Sequence, residues 1–203
     1  MPDGLVWYFG YGSLMWNPGF SHEAFEPAVL EGWSRALCIY STHYRGTAGR
    51  PGLVLGLRPG GRCIGRAIGV APEREPEVTA YLDARELLDN YVYRRVRLLL
   101  VIQGAAESVP GWCYVARPEH EDYAGGLDEA AVLRHVRQGH GLAGSCADYL
   151  RNTVAHLREM GIRETELERL EAALEQDDPL STPEPESLSG SGDLTVGPVG
   201  SKP

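Results

Sequence analysis

The chain has 203 residues, 43% of them hydrophobic and 23% charged, and carries a formal net charge of −9. This length suits one domain with a substantial core. The acidic balance disfavours binding to nucleic acid or to anionic membranes, because both carry negative charge themselves. No apolar run is long enough to span a membrane, and the first residues lack the basic region of a signal peptide. We therefore expect a cytoplasmic protein.

The four cysteines are spread along the chain, as Cys38, Cys63, Cys113 and Cys146. No two of them have Cys-x-x-Cys spacing, and no histidines stand near them at zinc-ligand spacing. The histidines also form no Ser-His-Asp pattern. We expect buried, reduced thiols, and neither a metal nor a cofactor.

In chain order, the first half of the sequence predicts short strands. The apolar run at residues 5–9 ends in a glycine-rich turn, and further strands are expected at 36–40, 53–57, 63–70, 91–103 and 112–115. Between the fourth and fifth of these six strands, residues 74–88 predict a helix with Val78, Tyr81 and Leu82 on one face.

The second half of the sequence predicts helices, at residues 128–138, 146–160 and 163–175, with apolar stripes at helical spacing. Strands followed by helices indicate an α+β fold, and the many short strands favour a closed or nearly closed barrel. We expect one domain over residues 1–176. Residues 177–203 are rich in Pro, Ser and Gly and predict a disordered tail.

The turn after the first strand is the first candidate site. Its two glycines, Gly10 and Gly12, allow a sharp turn that exposes consecutive backbone N–H groups, and Ser13 adds a hydroxyl. A nest of amides of this kind binds carboxylates. The pattern lacks the third glycine of a dinucleotide-binding fingerprint, and a simple tight turn explains it equally well.

Four further residues are candidates, each with a simpler structural explanation. Glu86 near a helix end could act as a general base if burial raised its pKa, or it could be an exposed residue paired with a neighbouring arginine. Arg45 could grip a carboxylate or sit in a solvated turn. Tyr114 and Tyr123 could orient a substrate or simply pack in the core.

Taken together, these segments resemble the ChaC-type γ-glutamylcyclotransferases. The similarity lies in FGYGSLMWNPGF (residues 9–20), RGTAGRPG (45–52) and YLDARE (81–86). It continues in YLRNT (149–153) and LREMGI (157–162), and extends from about residue 6 to residue 174 in the family's order. One departure is His43-Tyr44, where the family usually has an Asp-His pair before the Arg-Gly-Thr.

The resemblance implies a small mixed β-barrel flanked by helices, with Glu86 as the catalytic acid and base. It also implies that the first loop holds the γ-glutamyl group, largely through backbone amides. The substrate-binding residues expected on these grounds and from the motifs above are Tyr8, Phe9, Gly10, Tyr11, Gly12, Ser13, Leu14, Arg45, Tyr114 and Tyr123.

The implied reaction cleaves glutathione to 5-oxoproline and cysteinylglycine by attack of the glutamyl α-amine on the γ-carbonyl. His43-Tyr44 leaves open another γ-glutamyl amino acid or amine as substrate. Two readings of other classes also remain open: a non-catalytic barrel that binds a small carboxylate, and an interaction module that recruits partners through its tail. The sequence does not decide between a monomer and a dimer.

Overall fold

The computed structural model describes residues 4–87 and 92–176. The strands, in chain order, are β1 (Val6–Gly10), β2 (Ala24–Ser41), β3 (Gly52–Val70), β4 (Tyr93–Ile102), β5 (Val109–Ala116), β6 (His140–Gly141) and β7 (Gly144–Ser145). The α-helices are α1 (Glu75–Glu86), α2 (Glu129–Gln138), α3 (Cys146–Glu159) and α4 (Thr165–Gln176). Short 3₁₀ helices cover Ser13–Met15 and Pro72–Arg74.

The first five strands form a closed barrel in the order β1-β3-β2-β4-β5. All neighbouring strands are antiparallel except β1 and β5, which close the barrel in parallel where Trp7 pairs with Gly111 and Tyr8 with Trp112. The predicted α+β fold, a small barrel with helices beside it, is confirmed.

The strand boundaries differ from the prediction mainly in the long β2–β3 ribbon. Residues 53–57 and 63–70, predicted as two strands, belong to the single strand β3, and β2 begins at Ala24 rather than at residue 36. Pairing between the strands continues past Pro59, Gly60 and Gly61, with a register shift between Glu31 and Trp33. These turn-forming residues lie in a bulge of the ribbon and do not end the strands. The local turn signals therefore gave wrong strand ends in the prediction.

Two apolar clusters hold the helices on the barrel. The larger one joins the barrel interior to α2, α3 and α4 through Leu150, Val154 and Leu157 of α3 and Leu167, Leu170 and Leu174 of α4. This confirms the predicted stripes. A smaller cluster packs Val78 and Leu82 of α1 against Tyr8 and Tyr114. Tyr81, predicted on that face, is 39% exposed.

All four cysteines are buried and unpaired, as expected. Burial raises the pKa of both Cys38 and Cys113 to about 12, so these thiols stay protonated at neutral pH. In the described part of the chain, no helix has the length and apolar character needed to cross a membrane. The predicted tail at residues 177–203 lies outside the described residues.

Candidate active site

A cavity of about 780 Å³ opens at one end of the barrel. Three parts of the barrel line it: the end of β2 with the segment that follows, strand β3, and the start of β4 together with Tyr114 of β5. The other walls come from the first loop, the last turn of α1, Ala143 of the β6–β7 turn, and Tyr149 of α3. These segments are far apart in sequence and meet only because the barrel closes.

The first loop contributes Tyr11, Gly12, Ser13 and Leu14 to the cavity. Two of its carbonyl groups are used within the loop: the Met15 N–H donates to the Gly12 carbonyl at 2.8 Å, and the Asn17 N–H donates to the Ser13 carbonyl at 2.8 Å. No side chain caps the first amides of this short 3₁₀ turn. The loop therefore presents N–H groups beside the cavity while its carbonyls are occupied.

Glu86 is the last residue of α1 and lines the same cavity, with a side chain that is 20% exposed. Burial raises the pKa of its carboxyl, and the positive charge of Arg85 opposes that rise. A partly desolvated carboxyl in a cavity is suited to exchange protons with a ligand near neutral pH.

Arg85 joins these two parts of the site. Its Nε lies 3.3 Å from Glu86 Oε1, and its Nη2 donates to Ser13 Oγ at 2.7 Å. Its Nη1 donates to the Asn17 carbonyl at 3.1 Å, just beyond the loop. The side of the cavity formed by Gly12, Ser13, Arg85 and Glu86 is called the Glu86 end below.

A polar network holds the last turn of α1 on the barrel. Asp83 accepts hydrogen bonds from the Tyr114 hydroxyl at 2.7 Å and from Arg95 Nη1 at 2.6 Å. Burial, and then the bond to Asp83, raise the pKa of Tyr114 well above its usual value. Tyr114 lines the cavity, but its hydroxyl proton is directed to Asp83, one helical turn before Glu86.

Three tyrosines also line the cavity: Tyr11, which is buried, and Tyr93 and Tyr149, which are half-buried. The Tyr93 hydroxyl donates to the Leu55 carbonyl at 2.6 Å, and the Tyr149 hydroxyl accepts from the Leu55 N–H at 3.2 Å. The Tyr11 hydroxyl has no hydrogen-bond partner within residues 4–87 and 92–176. Burial raises its pKa well above the usual value, so it stays a donor at neutral pH.

Sequence reasoning did not select Tyr93 and Tyr149 as site residues. Tyr93 lies in a strand whose arginines dominate the pattern, and Tyr149 was noted only as part of the matching C-terminal segment. The one available signal was the residue type, and a tyrosine on a strand or helix is usually core packing.

The opposite side of the cavity is closed by the β6–β7 hairpin. Its Leu142 and Ala143 N–H groups donate to the carbonyls of His43 and Tyr44 at 3.0 and 2.9 Å. Arg45 donates through Nη1 to the Ala143 and Ser145 carbonyls, and its guanidinium lies 5.1 Å from the centre of the Tyr149 ring. This side, formed by His43, Tyr44, Arg45 and Ala143, is called the hairpin end below.

Arg45 therefore lines the cavity, but its guanidinium fastens the hairpin. Tyr44 beside it is 48% exposed, and its ring stands edge to face with His43 at 5.0 Å. The hairpin end presents aromatic rings and backbone to a ligand.

Three of the predicted substrate-binding residues do not line the cavity: Tyr8, Gly10 and Tyr123. Side chains alternate along β1, so Phe9 points to the cavity while Tyr8 points to α1, where its hydroxyl lies 2.6 Å from Thr79 Oγ1. Tyr123 pairs with Ile39 through an isolated backbone bridge and packs against a small apolar cluster. Sequence proximity to a motif does not indicate which face of a strand a residue occupies.

Comparisons with known proteins agree with this architecture. A family model for ChaC-like proteins matches residues 6–177. The glutathione-specific gamma-glutamylcyclotransferase of Escherichia coli (strain K12) is 31% identical over 83% of this chain and 72% of that protein. The human glutathione-specific gamma-glutamylcyclotransferase 1 is 31% identical over 71% of this chain and 66% of that protein.

Among solved structures, the crystal structure of a yeast γ-glutamyl cyclotransferase specific to glutathione superposes with a TM-score of 0.75. The superposition covers 85% of this chain and 99% of the yeast chain, at 21% sequence identity, so the likeness establishes the fold. The match of the family model over most of the described residues, together with these relatives, shows that the chain belongs to the ChaC-like family.

Proposed function

We propose that this protein is a γ-glutamylcyclotransferase that cleaves glutathione to 5-oxoproline and cysteinylglycine. The observation that carries the proposal is the Glu86 end of the cavity, where Arg85 joins a half-buried carboxyl to the first loop. The activity named for the E. coli and human relatives supports it.

Substrate binding begins with the glutamyl α-carboxylate at the first loop. The N–H groups around Gly12 and Ser13 would donate hydrogen bonds to this anion, and Arg85 contributes positive charge beside them. Fixing the carboxylate leaves the glutamyl chain to curl so that its own α-amine approaches its γ-carbonyl carbon. Closure of a five-membered ring requires mainly this orientation and a free amine.

Glu86 is suited to the proton transfers. The α-amine binds as an ammonium and must lose a proton before it attacks, and Glu86 takes that proton. As the ring closes, Glu86 gives that proton to the departing nitrogen, and the bond from the γ-carbon to this nitrogen breaks. The ring nitrogen then loses its second proton to Glu86, which passes it to the departing amine, so that the amine leaves as an ammonium and Glu86 is ionised again. The raised pKa lets one carboxyl serve in both directions.

Tyr11 is suited to stabilise the negative charge that develops on the γ-carbonyl oxygen. Its hydroxyl lies in the cavity wall and carries its proton at neutral pH. A donor aimed at a developing oxyanion in a partly dry site is among the larger contributions to catalysis.

The choice of glutathione over other γ-glutamyl compounds depends on the hairpin end. The part of the substrate beyond the scissile bond would lie against His43 and Tyr44, which replace the pair usual in the family. Another γ-glutamyl amino acid or amine is therefore the second candidate substrate. A cytoplasmic location stays a prediction from the sequence.

The decisive experiment is release of 5-oxoproline from glutathione by the wild type and by Glu86→Gln. The matched control is Glu77→Gln on the same helix, where the side chain is 74% exposed. We expect the wild type and Glu77→Gln to react at similar rates. Glu86→Gln should lose about 10²- to 10⁴-fold in kcat, the usual range for a general acid or base.

Two results would contradict the proposal. A Glu86→Gln variant with the wild-type rate would remove Glu86 from the mechanism. Binding of glutathione without product, from a wild type that is also inactive on a panel of γ-glutamyl amino acids and amines, would indicate a non-catalytic carboxylate-binding barrel.

A further inference from the structure

Arg35 is a buried charge behind the first loop. It lies on β2, is 2% exposed, and does not line the cavity. A buried guanidinium is costly unless its donors are satisfied, and this residue type is almost never fully buried without partners. Its contacts therefore indicate what it is there to hold.

The guanidinium of Arg35 contacts four residues from three separate segments. Its Nε donates to the Tyr11 carbonyl, its Nη1 to the Glu164 carboxylate just before α4, and its Nη2 to the Ile64 carbonyl at 2.7 Å. Its Nη2 also lies 3.5 Å from the sulfur of Met15. Two of these partners, Tyr11 and Met15, bracket the loop that forms part of the Glu86 end.

The bond to the Tyr11 carbonyl has a geometric consequence for the next amide. In a trans peptide the C=O and the following N–H point in opposite directions. Because the Tyr11 carbonyl is turned towards Arg35, the Gly12 N–H is turned away from Arg35, to the side where Gly12 lines the cavity. Arg35 thus determines the direction of an amide that the proposed function assigns to the substrate carboxylate.

We propose that Arg35, held by Glu164, is a positioning residue that orients the Tyr11–Gly12 peptide for binding of the substrate's α-carboxylate. The inference rests on the proposed function and adds a residue to it that does not touch the substrate. Lysine cannot replace arginine in this role, because an ammonium lacks the planar fork that reaches several acceptors at once.

The chain offers a matched control in a second pair at the same end of α4. Arg58 donates to Glu166 at 2.6 Å and to Ser34 at 3.3 Å, and it contacts the barrel rather than the first loop. Arg35→Lys and Arg58→Lys therefore make the same chemical change in two arginine–glutamate pairs, of which one contacts the loop.

The experiment measures KM and kcat for 5-oxoproline release, normalised to the folded fraction. A purely structural role lowers the amount of active protein, and so Vmax, but leaves KM unchanged. A positioning role weakens carboxylate binding in ground and transition states alike, which raises KM. We expect Arg35→Lys to raise KM about tenfold with kcat within about threefold, and Arg58→Lys to change neither more than about twofold.

A folded Arg35→Lys variant with wild-type KM would overturn the positioning role. If that variant does not fold, Glu164→Gln keeps Arg35 and an acceptor but removes the counter-charge. It should raise KM about threefold while Glu166→Gln does not, and equal KM values for this pair would also overturn the inference.

A wild type that releases no 5-oxoproline would overturn the proposed function, and a second readout then tests the positioning separately. The amide NMR shifts of Gly12 and Ser13 should move in Arg35→Lys and stay in place in Arg58→Lys. Unmoved shifts in Arg35→Lys would contradict the positioning role whatever the activity.

Discussion

The two ends of the cavity use arginine in different ways. At the Glu86 end, Arg85 contacts the side chains of Ser13 and Glu86, so its charge acts on groups that could meet the substrate. At the hairpin end, Arg45 donates to backbone carbonyls of the hairpin and stacks on Tyr149. Chemistry is therefore expected from the Glu86 end, and selection of the substrate's other half from the hairpin end.

The largest effect in a direct test of this division is expected from Tyr11→Phe. Removing the hydroxyl that we propose donates to the developing oxyanion should lower kcat about 10²-fold, while KM changes little. The comparison variant is Tyr93→Phe, whose hydroxyl already bonds the Leu55 carbonyl and should affect stability more than kcat. Steady-state kinetics with glutathione would check both, and equal kcat losses would remove Tyr11 from the oxyanion role.

A smaller effect is expected from exchanging the two arginines for methionine. Arg85→Met should lower kcat/KM about tenfold or more, since it removes a charge-assisted hydrogen bond to Ser13 and the charge beside Glu86. Arg45→Met should lower the melting temperature by loosening the hairpin and change kcat/KM by less than about threefold. Kinetics and thermal unfolding of both variants would measure the contrast, and the reverse ranking would break the division between the two ends.

A change in preference is expected from Tyr44→Ala at the hairpin end. Tyr44 is exposed at the rim, so its removal should alter the ratio of kcat/KM values for glutathione and a γ-glutamyl amino acid by about threefold to tenfold. The kcat for either substrate should stay near the wild-type value. A competition assay with both substrates gives the ratio directly, and an unchanged ratio would place specificity elsewhere.

The smallest effect concerns stability at the Glu86 end. The pKa of Glu86 is raised in the folded state, so ionisation of this carboxyl disfavours the fold, and wild type loses stability as pH rises through that raised pKa. Glu86→Gln should therefore melt at a slightly higher temperature than wild type at neutral pH, and at the same temperature once the carboxyl is protonated in both states. Thermal unfolding of both proteins across this pH range would check the prediction. A difference in melting temperature that grows as the pH falls would contradict a raised pKa for Glu86.

The same raised pKa predicts how activity depends on pH. A general base must be ionised in the free enzyme, so kcat/KM should fall as pH drops through a pKa above the ordinary range of a glutamate. The Glu77→Gln control should keep the profile. If kcat/KM stayed constant down to the ordinary pKa of a glutamate, the rate would not depend on ionisation of a Glu86 with a raised pKa.

The parts of the molecule that the sequence predicted well are those with a strong local signal. The apolar stripes of α3 and α4 follow helical spacing, and the loop from Tyr11 to Leu14 is marked by its glycines, so their character could be recognised before their partners were known. The long strands β2 and β3 could not be outlined in the same way, because their pairing overrides the turn signals at Pro59, Gly60 and Gly61.

The sequence by itself therefore determined the family and the α+β class with its barrel, and it supplied the residues proposed for proton transfer and carboxylate binding. Closure of the barrel decided which of them meet. Tertiary contacts brought Glu86 to Ser13 through Arg85, turned Tyr8 away from the cavity, directed the Tyr114 proton to Asp83 and committed Arg45 to the hairpin. The pKa of Glu86 and the orientation of the Gly12 amide depend on burial and on contacts between distant segments, and no local pattern encodes either.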